Sequence, residues 1–218
     1  MGICRAIFFD FDGVIVESLD VKIEAFRQMY APYGETVVRQ AVDHYVHQTG
    51  VPRLFRFKHC HEHFLGQDLS DAEAQALSDR FGEMVEDLVV ACDGVPGARG
   101  FLEAYADSIP CFVVSATPDA ELKRILRRRG LAPFFAETYG SPPDKPEVLS
   151  GVLAARGWLG AETVMVGDGL ADYRAATAHG IRFIGRTHAW LESPFPDGTT
   201  TIDDLSVLAE HLSVPGTA

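Results

Sequence analysis

The sequence predicts an α/β fold, in which helices cover both faces of a parallel sheet and a helical bundle is inserted after the first strand. Three observations support this prediction. The apolar stretch 6–9 runs directly into Asp10 and Asp12, as a short strand buried on both faces does. Residues 17–90 show helical periodicity and no strand signal. After residue 91, short apolar strands alternate with helices, which is the pattern of a parallel sheet.

The composition is that of a globular protein, with 218 residues, 47% hydrophobic, and a formal net charge of −12. Such a surface repels nucleic-acid phosphates and anionic lipid, so neither is an expected partner. No run approaches about 18 apolar residues, and the start of the chain lacks the regions of a signal peptide. The four cysteines have no CxxC spacing, which suits reduced thiols. We therefore expect a cytoplasmic protein, while its oligomeric state, monomer or homodimer, stays open.

The inserted bundle begins directly after the first strand. Ser18 is expected to cap a helix that starts near Leu19, and further helical stripes follow to about residue 90. The segment from Ser70 to Glu73 has the pattern of a capping box. Histidines stand at positions 59 and 63, four residues apart, but no third metal ligand is evident beside them. Packing or surface roles are the simpler interpretation for these histidines.

The second part of the chain supplies the remaining strands of the sheet. The expected strands cover 111–114, 138–140, 163–166, 181–184 and 199–202, and the helices between and after them cover 101–106, 120–129, 147–156, 170–179 and 205–212. The first strand has no partner within a helical bundle, so it belongs with this later set. The predicted core is therefore discontinuous, consisting of 1–16 and 91–218, and the insertion is 17–90.

Polar residues of the types that bind phosphate groups or metal ions follow several of these strands. They are Asp10, Asp12, Ser115, Thr117, Lys145, Asp168 and Asp172. Because the carboxyl ends of parallel strands meet at one edge of a sheet, these side chains could form one site. Carboxylates suit Mg²⁺, a lysine can hold phosphoryl oxygens, and a hydroxyl with neighbouring backbone N–H groups can bind phosphate. One aspartate can attack phosphorus, while a second protonates the leaving alkoxide and then activates water.

The motifs around these residues resemble those of the haloacid dehalogenase (HAD) superfamily, in its phosphatase subgroup with an α-helical cap. Relatives of this kind include phosphoglycolate phosphatases and β-phosphoglucomutases. The matching segments are Asp10-Phe11-Asp12-Gly13-Val14, Ser115 in Val-Val-Ser-Ala-Thr, Lys145 before Pro146, and Gly167-Asp168-Gly169-Leu170-Ala171-Asp172. The resemblance covers nearly the whole chain. It implies a Rossmann-like, HAD-like core with 17–90 as the cap domain.

The resemblance also implies a role for each matching residue. Asp10 would be the nucleophile and Asp12 the acid and base. The implied Mg²⁺ site comprises Asp10, Asp12 through its backbone carbonyl, Asp168 and Asp172, and the implied phosphoryl site comprises Ser115, Ala116, Thr117 and Lys145. Two positions depart from the family pattern. Gly169 stands where many relatives have Ser or Asn, and Glu17 stands where Asp is more usual, with no chemical role evident for it.

The insertion is where substrate specificity is expected. Gly50-Val51-Pro52-Arg53 resembles the family's cap loop, so Arg53 could hold an anionic or hydroxylated part of the substrate. A solvated arginine at a helix start is the alternative interpretation. Lys22, early on the first inserted helix, could face the cleft, or it could be a surface lysine.

The function expected from these residues is that of a Mg²⁺-dependent phosphatase. It would hydrolyse a small phosphorylated metabolite through an aspartyl-phosphate on Asp10. The carboxylate of Asp12 favours phosphate esters, because a leaving alkoxide needs a proton. A sugar phosphomutase of the β-phosphoglucomutase type is the first alternative. A non-catalytic, phospho-accepting regulatory module is the second, although such a module needs no helical lid. The sequence does not name the substrate.

Overall fold

One parallel sheet of six strands organises the fold in the computed structural model, which describes residues 4–48 and 50–212. The strands are β1 Ala6–Phe9, β2 Cys111–Pro118, β3 Glu137–Ser141, β4 Thr163–Gly167, β5 Arg182–Arg186 and β6 Thr201–Ile202. Their spatial order is β3-β2-β1-β4-β5-β6. The predicted α/β fold with a parallel sheet is thereby confirmed. Residues 1–3 and 213–218 of the predicted core lie outside the described residues.

Strand β1 lies at the centre of the sheet, and its register aligns the strand ends that matter for the site. Phe9, the last residue of β1, pairs with Val113 of β2 and with Val166 of β4. The chain therefore leaves the sheet at nearly the same level on β1 and β4, whereas β2 continues past this level to Pro118. Asp10 follows β1 directly, and Asp168 follows β4 directly. Parallel pairing thus brings polar residues from distant parts of the sequence to one edge.

Eight α-helices surround the sheet and form the insertion within the described residues. They are α1 Leu19–Tyr30, α2 Glu35–His47, α3 Arg53–Cys60, α4 Asp71–Ala91, α5 Ala98–Tyr105, α6 Asp119–Arg128, α7 Lys145–Arg156 and α8 Leu170–Ala178. A π-helical turn, His61–Leu65, extends α3, and Leu205–His211 is 3₁₀ rather than α-helical. Every regular element described between residues 17 and 90 is helical. None of these helices is long and apolar enough to cross a membrane.

Two apolar clusters stabilise the two faces of the sheet. Side chains alternate along a strand, so Ile7 and Phe9 join one cluster, while Ala6 and Phe8 join the other. The cluster around Phe9 continues into the insertion, where an aromatic group that includes Phe26 is fully buried. The insertion therefore shares one apolar cluster with the face of the sheet that carries Ile7 and Phe9.

Local capping differs from expectation at two places. Ser18 precedes α1 but makes no side-chain capping bond; its hydroxyl donates instead to Asp12 Oδ1 at 2.6 Å. The bond to a charged acceptor orients the hydroxyl toward Asp12 and away from the amides of the first helical turn. Helix α7 begins at Lys145, two residues earlier than expected, because the Asp144 side chain accepts from the Glu147 amide at 2.9 Å. The capping box at Ser70 is confirmed.

Candidate active site

A cavity of about 50 Å³ lies between the carboxyl ends of the central strands and the inserted helices. Its walls combine residues that follow the strands with residues of α1, α2, α3 and α4. From the sequence-predicted set, the cavity is lined by Asp10, Asp12, Lys22, Arg53, Ser115, Ala116, Thr117 and Asp168. Lys145 and Asp172 lie directly behind this wall, in contact with Asp10 or with each other. The structure therefore brings the whole predicted set together.

The carboxylate of Asp10 is held in a defined orientation. Its Oδ1 accepts from the amide of Phe11 at 2.7 Å, and its Oδ2 lies 2.9 Å from Lys145 Nζ. The same Nζ lies 2.5 Å from Asp172 Oδ1. Asp172 Oδ2 in turn accepts from the amide of Gly169 at 3.2 Å. One lysine is thus shared between two buried carboxylates at the base of the cavity.

Three buried carboxylates, those of Asp10, Asp168 and Asp172, each place an oxygen within 4.8 Å of the others. Burial raises the pKa of all three carboxyl groups, and their mutual repulsion acts in the same direction, whereas Lys145 opposes it. A single lysine cannot neutralise three anions. A divalent cation with oxygen ligands would remove the excess negative charge, so these residues fit a Mg²⁺ site.

Asp12 has a different environment although it is only two residues from Asp10. Its Oδ1 accepts from Ser18, and its Oδ2 accepts from Thr117 Oγ1 at 2.8 Å and lies 2.6 Å from Lys22 Nζ. Burial acts to raise the pKa of Asp12, but Lys22 and the hydroxyl donors outweigh it, and the pKa is lowered. Asp12 is therefore ionised here, and none of its side-chain partners is a carboxylate.

The end of β2 supplies polar groups on the opposite side of the cavity. Ser115 is 4% exposed, and its hydroxyl accepts from the backbone amide of Thr117 at 3.1 Å. Ala116 and Thr117 continue the lining. Thr117 accepts from Lys22 at 3.1 Å through Oγ1 while donating to Asp12. This arrangement presents hydroxyl groups toward the space beside Asp10, where a phosphoryl group would be bound.

Three residues near the site were missed by sequence reasoning or given no role there. His188 Nε2 lies 3.0 Å from Asp168 Oδ2, and this contact orients the carboxylate of Asp168. Arg186 contacts His188 and pairs with Glu17 at 2.6 Å. Glu17 therefore ties the start of the insertion to the end of β5. The position of His188, four residues beyond the predicted strand 181–184, is the signal that could have identified it.

The two cationic residues predicted from the insertion have different partners. Lys22 is 4% exposed and contacts Asp12, so it is not a surface lysine. Arg53 is also buried, but both ends of its guanidinium bind Glu121 of α6, at 2.8 and 2.9 Å. It also donates to the carbonyl of Ser78. Arg53 thus joins the insertion to the core. Its guanidinium is paired with the carboxylate of Glu121, a partner that the sequence did not reveal.

The fold and the site define an α/β phosphatase with an inserted helical layer over a carboxylate-rich sheet edge. The sequence pattern of the haloacid dehalogenase-like hydrolases matches residues 4–180, and the chain belongs to this family. The predicted family and the prediction of a phosphatase enzyme are confirmed.

Known proteins resemble the chain along most of its length. A phosphoglycolate phosphatase of Rhodospirillum rubrum is 26% identical over 228 residues, which cover 97% of this chain and 92% of that protein. A solved structure of a predicted phosphoglycolate phosphatase from Haemophilus somnus gives a TM-score of 0.73 at 21% identity, covering 95% and 97% of the two chains. β-Phosphoglucomutase from Clostridium difficile gives 0.76 at 17% identity, covering 94% and 93%. The structural matches show that the fold is shared.

Proposed function

We propose that the chain is a Mg²⁺-dependent phosphatase that hydrolyses a phosphate monoester of a small metabolite. The observation that carries the proposal is the contrast between Asp10 and Asp12. Asp10 belongs to the three-carboxylate cluster, whereas Asp12 faces the same cavity among hydroxyl and ammonium groups. This contrast supports different roles for the two residues, and the match of Asp10 and Asp12 to the first motif of the family supports Asp10 as the nucleophile and Asp12 as the acid and base.

The proposed reaction has two steps at phosphorus. In the first, an oxygen of Asp10 forms a bond to phosphorus, the bond to the leaving oxygen breaks, and Asp12 gives that oxygen a proton. In the second, water attacks phosphorus, its proton passes to Asp12, and the bond between phosphorus and Asp10 breaks. Lys22 favours the ionised form of Asp12. Before the first step, the substrate must therefore loosen the contact between Lys22 and Asp12, and Asp12 must take up a proton from solvent; in later turnovers the attacking water supplies that proton.

Other residues of the chain bind and orient the phosphoryl group in this proposal. Ser115 and Lys145 hold its oxygens, with Ala116 and Thr117 completing the wall beside it. Phosphatases of this family generally use a divalent metal ion, and Asp10, Asp168 and Asp172 would hold it, with the backbone carbonyl of Asp12 as a further ligand. When bound, the metal supplies positive charge against the phosphoryl oxygens.

The small cavity and the proposed cap domain suit a compact substrate. The segment 17–90 is proposed as the cap domain, which closes over the phosphoryl site and excludes water. Relatives at 26% identity are phosphoglycolate phosphatases, so 2-phosphoglycolate is the first compound to assay. Phosphorylated three-carbon acids and p-nitrophenyl phosphate extend the panel, because the sequence does not define the leaving group.

The test is release of inorganic phosphate from this panel with Mg²⁺ present. Asp10→Asn removes the nucleophile and is expected to lower kcat by at least about 10³-fold, which is the scale of losing a covalent step. Asp204→Asn, at the start of the last 3₁₀ helix, is the matched control and is expected to keep full activity. Phosphate release that survives Asp10→Asn, or no release from any compound, would show that the proposal is wrong.

A further inference from the structure

Arg56 is a buried cation in the wall of the same cavity. It belongs to α3, is 4% exposed, and its guanidinium carbon lies 4.0 Å from the centre of the Tyr45 ring. Its Nη1 donates to the carbonyl of Tyr45 at 3.0 Å, and its Nη2 donates to the carbonyl of Gln48 at 2.7 Å. A guanidinium has five N–H groups, so donors remain for a ligand.

The charge balance of the cavity wall singles out Arg56. The other charged groups that line the cavity each have a group of opposite or potentially opposite charge within 3.0 Å. These pairs are Lys22 with Asp12, Arg53 with Glu121, Asp10 with Lys145, and Asp168 with His188. Across residues 4–48 and 50–212, no carboxylate lies within 4.0 Å of the Arg56 guanidinium. Arg56 is therefore the lining charge that lacks a counter-ion in the described structure.

An uncompensated buried charge is energetically unfavourable, and the carbonyl partners of Arg56 offset it only in part. Burial lowers the pKa of Arg56, and the nearby charge of Arg53 acts in the same direction. The carbonyls of Tyr45 and Gln48 lie at the end of α2, where the helix dipole supplies roughly half a negative charge. This contact gives Arg56 a structural role at the helix end. An anion in the cavity would supply the remaining compensation.

The size of the cavity connects this cation with the phosphoryl site. A volume near 50 Å³ corresponds to about four water-sized positions. Asp10, Ser115 and Arg56 all line that space. Because these residues line one space, a single small molecule can present a phosphoryl group to Asp10 and an anionic group to Arg56.

We propose that Arg56 binds a second anionic group on the leaving-group side of the substrate. The enzyme then selects phosphate monoesters whose leaving group carries a carboxylate or a further phosphate. This inference rests on the proposed phosphatase function. It assigns to Arg56 the anion-binding role that the sequence suggested for Arg53, because Glu121 already neutralises Arg53.

The test compares two substrates of nearly identical shape, 2-phosphoglycolate and its neutral amide, 2-phosphoglycolamide. The wild-type enzyme is expected to favour the carboxylate by about 10- to 100-fold in kcat/KM, the scale of a charge-assisted hydrogen-bonded pair. Arg56→Met is expected to reduce this preference to about 1. Because the readout is a ratio for one preparation, partial loss of folded protein does not change it. Where Arg56→Met does not fold, Arg56→Gln provides the same comparison.

Two further variants make the result specific to Arg56. Lys58→Met removes an exposed cation from the same helix and is expected to keep the wild-type ratio. Arg53→Met is expected to keep the preference for the carboxylate as well, although it removes an ion pair. The inference is overturned if the wild type shows no preference, or if the preference survives in the Arg56 variants. It is also overturned if Arg53→Met loses the preference. If neither compound nor p-nitrophenyl phosphate is hydrolysed, the proposed phosphatase function fails instead.

Discussion

The environments of individual side chains explain how two adjacent carboxylates can have different chemistry. Asp10 and Asp12 are separated by one residue, yet burial among carboxylates raises the pKa of Asp10, whereas Lys22 and two hydroxyl donors lower that of Asp12. Paired groups whose environments separate their pKa values commonly divide the tasks of a reaction. A cation bound at the carboxylate cluster would lower the pKa of Asp10, as a nucleophile requires, and a substrate that loosens the contact of Lys22 with Asp12 would raise the pKa of Asp12, as an acid requires.

Replacing Asp12 tests its proposed role as an acid. We expect Asp12→Asn to lower kcat for alkyl phosphates by about 10²- to 10⁴-fold, the scale of general acid catalysis. The first step with p-nitrophenyl phosphate should suffer much less, because p-nitrophenolate leaves without a proton. Burst kinetics of nitrophenol release would measure that step. Equal losses in bond cleavage for both substrate types would contradict the role.

Contacts between elements join the insertion to the core. The ion pair between Arg53 of α3 and Glu121 of α6 is almost fully buried. On the exposed side, Arg124 of α6 pairs with Glu86 of α4 at 2.7 Å. Arg129, just beyond α6, donates to the carbonyls of Val89, Val90 and Cys92 at the end of α4. Helix α6 and the residue after it thus contact the C-terminal part of α4.

Breaking the buried pair on one side leaves the other charge without a partner. Glu121→Gln or Arg53→Met is expected to lower the free energy of unfolding by about 3 to 5 kcal/mol, measured by urea denaturation. The double variant Arg53→Met with Glu121→Leu is expected to recover much of that loss, because no unpaired charge remains. A control that removes the exposed Arg124, Arg124→Gln, should cost at most about 1 kcal/mol. Additive losses in the double variant would contradict this account of the pair.

A stack of three imidazoles joins α2 to α3 and the turn that follows it. His44 and His63 each stack on His59 with ring centres 4.1 Å apart, so His59 and His63 share a face. Burial lowers the pKa of His44 to about 4, and His59, Arg56 and His63 act in the same direction, whereas Asp43 opposes them. His44 is therefore packed in its neutral form.

This stack makes stability depend on pH in a defined range. The unfolded chain binds protons at His44 near pH 6.5, whereas the folded chain binds them only near pH 4. Unfolding is therefore favoured as pH falls from about 6.5 to 4, and the effect is complete below the folded pKa. We expect the loss of Tm between pH 7 and pH 5 to be smaller in His44→Gln than in the wild type. His211→Gln, remote from the stack, serves as the control, and an unchanged pH dependence in His44→Gln would refute the assignment.

At the scale of the whole molecule, the sheet concentrates negative charge at one edge and the chain as a whole carries −12. Within the part of the chain that the structure describes, three buried carboxylates, those of Asp10, Asp168 and Asp172, converge at this edge. Without a cation, the repulsion among these carboxylates therefore lowers the free energy of unfolding. Cation binding and stability should consequently be linked.

Addition of Mg²⁺ is expected to raise Tm by several degrees, since a ligand at 100 times its Kd adds about 2.7 kcal/mol. Asp168→Asn should abolish this response and raise the Tm of the metal-free protein, because it removes one of three repelling charges. Differential scanning calorimetry with Mg²⁺ or with EDTA measures both effects. Asp71→Asn, at an exposed helix start, should respond as the wild type does. A full Mg²⁺ response in Asp168→Asn would contradict the proposed site.

The sequence alone determined the fold class and the group of residues at the sheet edge. Hydrophobic periodicity separates helices from strands, and parallel strands place their carboxyl ends together, so Asp10, Ser115 and Asp168 could be assigned to one edge. These are local and topological properties that short stretches of sequence carry. The same reasoning identified the helical nature of the insertion.

Only the tertiary structure decided which charges neutralise each other. Glu121 lies 68 residues from Arg53, and His188 lies 20 residues from Asp168. No local pattern relates such pairs, because their contact depends on how helices and loops pack across the fold. The balance of charge in the cavity, including the position of Arg56 without a carboxylate partner in the described structure, is therefore a property of the folded chain.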